Sequence, residues 1–230
     1  MIMNMQWSVY NQGCRIMRVI CALSLVMLFS ASESAAESLP VSRFSTEGLS
    51  GWDTKSFKGM TEYHVAKENG QSVVRAVSNG SASGMVKKIS FNPSRFRYLN
   101  WSWKVAHTVT GGDEKIKSGD DYAARVYVIF PGRFFWQMKA INYIWANKLA
   151  KGSSIPNAYT ANAQMIAVES GNGKAGQWVT EQRDLLADYR RLFGGEPQEA
   201  DAIAIMTDTD NTGGVAEAWY GEISLSTEGK

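Results

Sequence analysis

YLNWSWKVAH, residues 98–107, carries the clearest periodicity in the chain. Leu99, Trp101, Trp103 and Val105 alternate with Asn100, Ser102 and Lys104. Apolar side chains at every second residue mark a strand with one face buried. The flanking sequence repeats the message. SVVRAVS and SGMVKKISF flank Asn79-Gly80 and read as a β-hairpin. YAARVYVIF, residues 122–130, is a β-rich run stopped by Pro131-Gly132. QMIAVES at 164–170, AIAIMT at 202–207 and the closing VAEAWYGEISLST supply further strands.

One helix is expected, over DLLADYRRLFGG at 184–195. Leu185, Tyr189 and Leu192 fall on one face at i, i+4 and i+7. Asp184 is placed to cap its start and Gly194 to end it. Arg190 and Arg191 suit the negative end of its dipole. Many short strands, glycine-marked turns and one short helix near 184–193 predict an all-β fold, a single jelly-roll β-sandwich.

The chain has 230 residues, enough for one core and few enough to argue against two domains. Arg15 and Arg18 precede the apolar run VICALSLVMLFSA, and small residues including Ser34 and Ala36 follow. This is the pattern of a secretory signal, about 13 apolar residues against the ~20 that span a membrane. Residues 1–36 are therefore expected to be removed, and residues 37–230 to form the sandwich in the periplasm or outside the cell. The formal charge is +2, and losing Arg15, Arg18 and Glu33 with that segment leaves +1. A near-neutral domain offers no electrostatic reason to bind nucleic acid. Cys14 and Cys21 lie in the same segment, so the mature domain holds no disulfide and no thiol nucleophile.

MTDTDNTGG, residues 206–214, groups Asp208, Asp210 and Asn211 before two glycines. Counted as a helix-flanked calcium loop, it puts Trp219 where a bidentate Glu belongs. It reads first as a turn, whose Asp and Asn bond their own backbone while Gly supplies positive φ. No cofactor is expected, and the one metal the loop admits is a structural calcium ion on Asp208 and Asp210. Asp208 is also placed to tie back to Arg125 or Arg183. Arg125, Tyr127 and Ile129 share one strand face, and an arginine among apolar neighbours needs a carboxylate or a ligand.

The segment 133–157 is rich in aromatics: Phe134, Phe135, Trp136, Tyr143 and Trp145, followed by a Gly/Ser/Pro/Asn loop ending at Asn157. Sugar rings stack on such side chains, and concave sites mixing aromatics with a few polar groups are the usual ligand pattern. The candidate ligand-binding residues are Arg125, Trp136, Tyr143, Trp145, Asn157, Arg183 and Asp188. Asp188 is also spaced to pair with Arg191 or Arg183 along the helix. There is no G-x-S-x-G elbow and no H-E-x-x-H. The two histidines, His64 and His107, have no ligand-type neighbours, which disfavours His triads and zinc. Catalysis would fall to carboxylates, with Asp121, Glu181, Asp188 and Asp208 as candidates.

LNWSWKV, DDYAARVYVIF, INYIWAN, WVTEQRDLLADYRRLFGGEP and IAIMTDTDNTGG followed by AWYGEISL resemble, in order, a family of exported bacterial proteins known as domain of unknown function 3047. The resemblance implies a galactose-binding-type jelly roll. It singles out Asp121, Arg125, Arg183, Asp184, Asp188, Asp208, Asp210 and Asn211 as the polar members of its motifs and assigns none a chemical role. The expectation is a non-catalytic module that binds a glycan or cell-envelope polysaccharide. A hydrolase or lyase on the same fold and an envelope protein-interaction domain are the alternatives.

Overall fold

The computed structural model describes residues 36–230. The expected signal segment lies, but for its last residue, outside the described residues. In chain order, the first strands are β1 (Ser38–Pro40), β2 (Trp52–Lys58), β3 (Glu62–Glu68) and β4 (Gln71–Asn79). β5 (Ala82–Phe91), β6 (Tyr98–Val105), β7 (Arg125–Phe130) and β8 (Lys139–Ala146) follow. Next come β9 (Ser154–Pro156), β10 (Ala163–Ser170), β11 (Val179–Asp184) and the helix α1 (Leu185–Phe193). β12 (Ala200–Asp208), β13 (Val215–Tyr220) and β14 (Ser224–Ser226) complete the chain. No helix among the described residues is long and apolar enough to cross a membrane.

The strands form two seven-stranded sheets, the jelly-roll sandwich that the alternation predicts. One runs β2-β5-β12-β7-β8-β10-β9, antiparallel except for the β8–β10 pair. The other is centred on β6. β11 pairs along one side of β6, from Tyr98 to Trp103. β14 and β13 share its other side, β14 at Tyr98–Asn100 and β13 at Trp103–Val105. β4 and β3 extend the sheet beyond β13, and β1 extends it beyond β14.

Leu99, Trp101, Trp103 and Val105 all point inward and are buried. They meet Val126, Val128 and Phe130 of β7, Tyr143 and Trp145 of β8, and Ile203 and Ile205 of β12 in one core. Aromatic rings bridge the sheets. Trp101 meets Tyr143 at 5.3 Å between centroids, and Trp103 meets Trp145 at 5.8 Å. A second, smaller cluster lies on the outer side of the β2–β9 sheet, where Ile144, Met165 and Ala167 pack with Tyr122. β8 is thus covered on both faces, and its apolar run is nearly continuous for that reason.

The expected hairpin about Asn79-Gly80 does not form. β4 belongs to one sheet and β5 to the other, so Asn79-Gly80 is the corner where the chain changes sheets. The Asn-Gly hairpin is ten residues earlier, at Asn69-Gly70, between β3 and β4. There both residues take positive φ, +50° and +82°, as a type I′ turn demands. At the corner only Gly80 does. Thr209 ties the corner down, its hydroxyl meeting Ser78 Oγ at 2.8 Å and accepting from the Gly80 amide at 2.9 Å. Helix α1 begins as expected, with the Asp184 side chain accepting from the Ala187 amide, and ends at Gly194 with φ +68°.

Candidate functional site

A strand buried on one side presents its alternate residues to the other, and the central strands of the β2–β9 sheet present a polar group there. β7 turns Arg125, Tyr127 and Ile129 outward, the shared face that the sequence predicts. β12 places Met206 against Arg125 and Ala204 against Tyr127, and β8 places Asn142 beside Tyr127. Arg125, Tyr127, Met206 and Asn142 floor an open cavity of about 450 Å³, walled by Asp120, Asn157, Tyr159, Asp210 and Asn211. Phe57 on β2 and Tyr159 on the β9–β10 loop stand at its rim, 68% and 56% exposed.

Arg125 is its chemical centre. The guanidinium pairs with the buried Asp208 carboxylate, one of the two ties the sequence allows. It lies over the Tyr122 ring at 4.6 Å and the Tyr127 ring at 5.5 Å. Burial pulls the guanidinium down, and Asp208 with Tyr127, Asp120 and Tyr122 together outweigh that, so the arginine stays protonated. Burial pushes the Asp208 carboxyl up, against the pull of Arg125, and Asp121 and Asp120 add repulsion. Two buried atoms on the cavity's lining residues have no hydrogen-bond partner: Arg125 Nε and Asn142 Oδ1. One is a donor, the other an acceptor.

Asn157 belongs to this site, its amide donating to both oxygens of Asp120 at 2.9 and 3.0 Å. The MTDTDNTGG stretch is a braced turn. Asp121 accepts from the Asn211 amide at 3.2 Å and the Thr212 amide at 2.6 Å, and Gly213 has φ +70°. Carboxylate oxygens of Asp121, Asp208 and Asp210 lie within 4.8 Å of one another, which adds Asp121 to the two residues expected at a metal. Asp208 is engaged by Arg125 and by the Tyr122 amide, and Asp121 by the loop's own backbone. The set therefore fits a calcium ion poorly, since calcium takes six to eight oxygens.

Five expected ligand-binding residues lie elsewhere. Tyr143 and Trp145 are 0% exposed and fill the core, because the face of β8 on which they alternate is the one turned toward β6. Arg183 and Asp188 pair with each other at 2.6 Å, and the Tyr143 hydroxyl donates to Asp188 at 3.0 Å. Arg191 reaches Asp188 at 3.3 Å. This network pins α1 to the sandwich. Trp136 is exposed and stacks on Phe134 at 4.7 Å, in the β7–β8 loop, and does not line the cavity. Of the carboxylates proposed for catalysis, Asp121 and Asp208 approach each other, but each is already engaged, and Asp188 and Glu181 stand apart. Asp188 and Asp208 are buried against arginines, Asp121 holds a loop, and Glu181 sits on β11 in the other sheet.

Sequence reasoning missed Asn142, Tyr159 and Phe57. Asn142 carries a signal, as a polar residue midway through the apolar run INYIW. Phe57 and Tyr159 carry none, for they reach the site only through the pairing of β2 and the path of the β9–β10 loop.

Residues 50–224 match the family described as "Protein of unknown function (DUF3047)". The chain belongs to that family. None of the curated proteins matches this DUF3047 chain. Among solved structures it is similar to the family 30 carbohydrate-binding module of a cellulosomal cellulase of Clostridium thermocellum. The identity is 10%, with 84% of this chain and 99% of that one covered and a TM-score of 0.50. It is also similar to a family 11 module of another cellulosomal cellulase from that organism, at 11% identity, 83% and 93% coverage and a TM-score of 0.45. At such identities the first likeness is one of fold.

Proposed function

We propose that this DUF3047 protein is an exported, non-catalytic module that binds a neutral glycan of the cell envelope or its surroundings in the Arg125 cavity. The observation that carries the reading is the open cavity itself, which sets exposed aromatic rings beside the polar side chains of Asn157, Asp210 and Asn211. A sugar, whose hydroxyls both donate and accept, suits the amide and carboxylate groups there. Exposed Phe57 and Tyr159 at the rim offer ring faces for its C–H surface. The family 30 module that shares the fold is named for binding carbohydrate.

Neutrality follows from charge. Asp120, Asp208 and Asp210 line the cavity with one guanidinium, whose charge is already spent on Asp208. An acidic sugar would meet carboxylates that the guanidinium does not compensate. A thermal-shift panel tests the reading, using neutral glucans, xylan, mannan and polyuronates. A neutral glycan is expected to raise the melting temperature, by mass action on the folded state, and Phe57→Ala is expected to reduce that shift without lowering the unliganded melting temperature. A response to polyuronates alone, or to no glycan, would refute it. A second reading, a hydrolase, draws on the raised Asp208 carboxyl in an open cavity; product analysis in the responding wells separates the two.

A further inference from the structure

The outer face of the β2–β9 sheet holds a second cavity, of about 610 Å³, lined by Val86, Lys88, Ile129, Met138, Asp201 and Ala202 among others. It continues the first. Along β7 the floor passes from Arg125 and Tyr127 to Ile129, and along β12 from Met206 to Ala204 and Ala202. The register sets Ala204 beside Tyr127 and Ala202 beside Ile129. Residues two apart on a strand are ~7 Å apart, so the cavities adjoin along the strands. The small side chains of Ala202 and Ala204 leave the central strand low.

The two ends differ. Beyond Asp208 the chain turns, and Asp210 and Asn211 lie across the end of the floor. Lys58 on β2 donates to the Asp210 carbonyl at 2.9 Å. The Tyr159 hydroxyl, from the β9–β10 loop, donates to Asn211 Oδ1 at 2.6 Å. β2 and β9 are the opposite edges of the sheet, so this turn is tied from both sides. At the other end, Lys88, Ser90, Asp201 and Met138 are exposed; Ser90 donates to Glu199 at 3.3 Å, Lys88 pairs with Asp53 at 3.4 Å, and Asn162 donates to the Trp136 carbonyl at 2.7 Å.

We propose that the groove is blind at Asp210–Asn211 and takes a glycan by its chain end. The terminal unit is held among Phe57, Asn157 and Asn211, and the chain leaves along Ala204 and Ala202 toward Lys88. This rests on the glycan-binding reading. A groove open at both ends would accept an internal stretch of polymer, whereas an end wall admits only a terminus.

The test weighs binding against chain ends. Soluble neutral glucan, xylan and mannan are each offered to the purified protein intact and after partial acid hydrolysis, at equal mass. Protein bound per gram is expected to rise in proportion to the number of chain ends. Tyr159→Phe, which removes the hydroxyl that closes the wall, is expected to raise binding to intact polymer relative to fragments. Binding that tracks mass whatever the degree of hydrolysis overturns the chain-end proposal and leaves the glycan reading standing. Binding to none of the three, in either form, overturns both.

Discussion

Arg125 and Asp208 show how a polar pair can be built into a sheet. The carboxylate neutralises the guanidinium inside the protein, beneath the floor of the open cavity. Trp145 has the opposite fate. It was expected at a binding surface and is instead a fully buried core side chain, touching Trp103. Trp145→Ala is therefore expected to cost ~3–5 kcal/mol of stability, as other large-to-small core changes do, with a fall in denaturant midpoint as the readout. Retained stability would place the ring outside the core. Glu181 is a third kind of residue. Burial, and then the charge of Glu169, pushes its carboxyl up to about 7, and its Oε1 has no hydrogen-bond partner. The folded protein thus holds that proton more tightly than the unfolded chain, whose carboxyl titrates near 4.5. Its contribution is most favourable below pH ~4.5 and is lost as pH rises to ~7. Glu181→Gln is expected to gain stability over the parent between pH 5 and pH 8, by about 1–3 kcal/mol at ~1.4 kcal/mol per pKa unit. A difference between variant and parent that does not change with pH would refute this.

At the scale of elements, two Asn-Gly pairs ten residues apart do different work. Local chemistry is the same at both, and partner strands decide between them. Asn69-Gly70 joins strands that pair, so its backbone must match their twist. Asn79-Gly80 leads out of one sheet into the other, where the Thr209 hydroxyl holds it. Gly70→Ala forces a side chain into φ +82° and is expected to cost ~1–2 kcal/mol. Equilibrium denaturation should show a lower midpoint with an unchanged slope; an unchanged midpoint would mean that the turn is not under this constraint. The helix is the contrary case. Its cap, its apolar stripe and its glycine stop are all local, and it forms over the residues expected.

At the scale of the molecule, three carboxylates meet where β12 ends, and the arginine and backbone amides around them already do a cation's work. Calcium is accordingly expected to leave the melting temperature where chelator leaves it; a rise of several degrees would make the Asp208–Asp210 turn a metal loop. What the sequence by itself determined is what depends on neighbours in the chain. Period-two alternation made the strands, capping chemistry made the helix, and a lone buried arginine demanded its carboxylate. Tertiary structure decided the rest. Alternation separates two faces of a strand without saying which one another sheet will cover, so Tyr143 and Trp145 went to the core and Asn142 to the site. Strand order decided that Phe57 and Tyr159 reach one groove from opposite sides of its sheet, because pairing between strands distant in the chain leaves no trace in either strand's own residues.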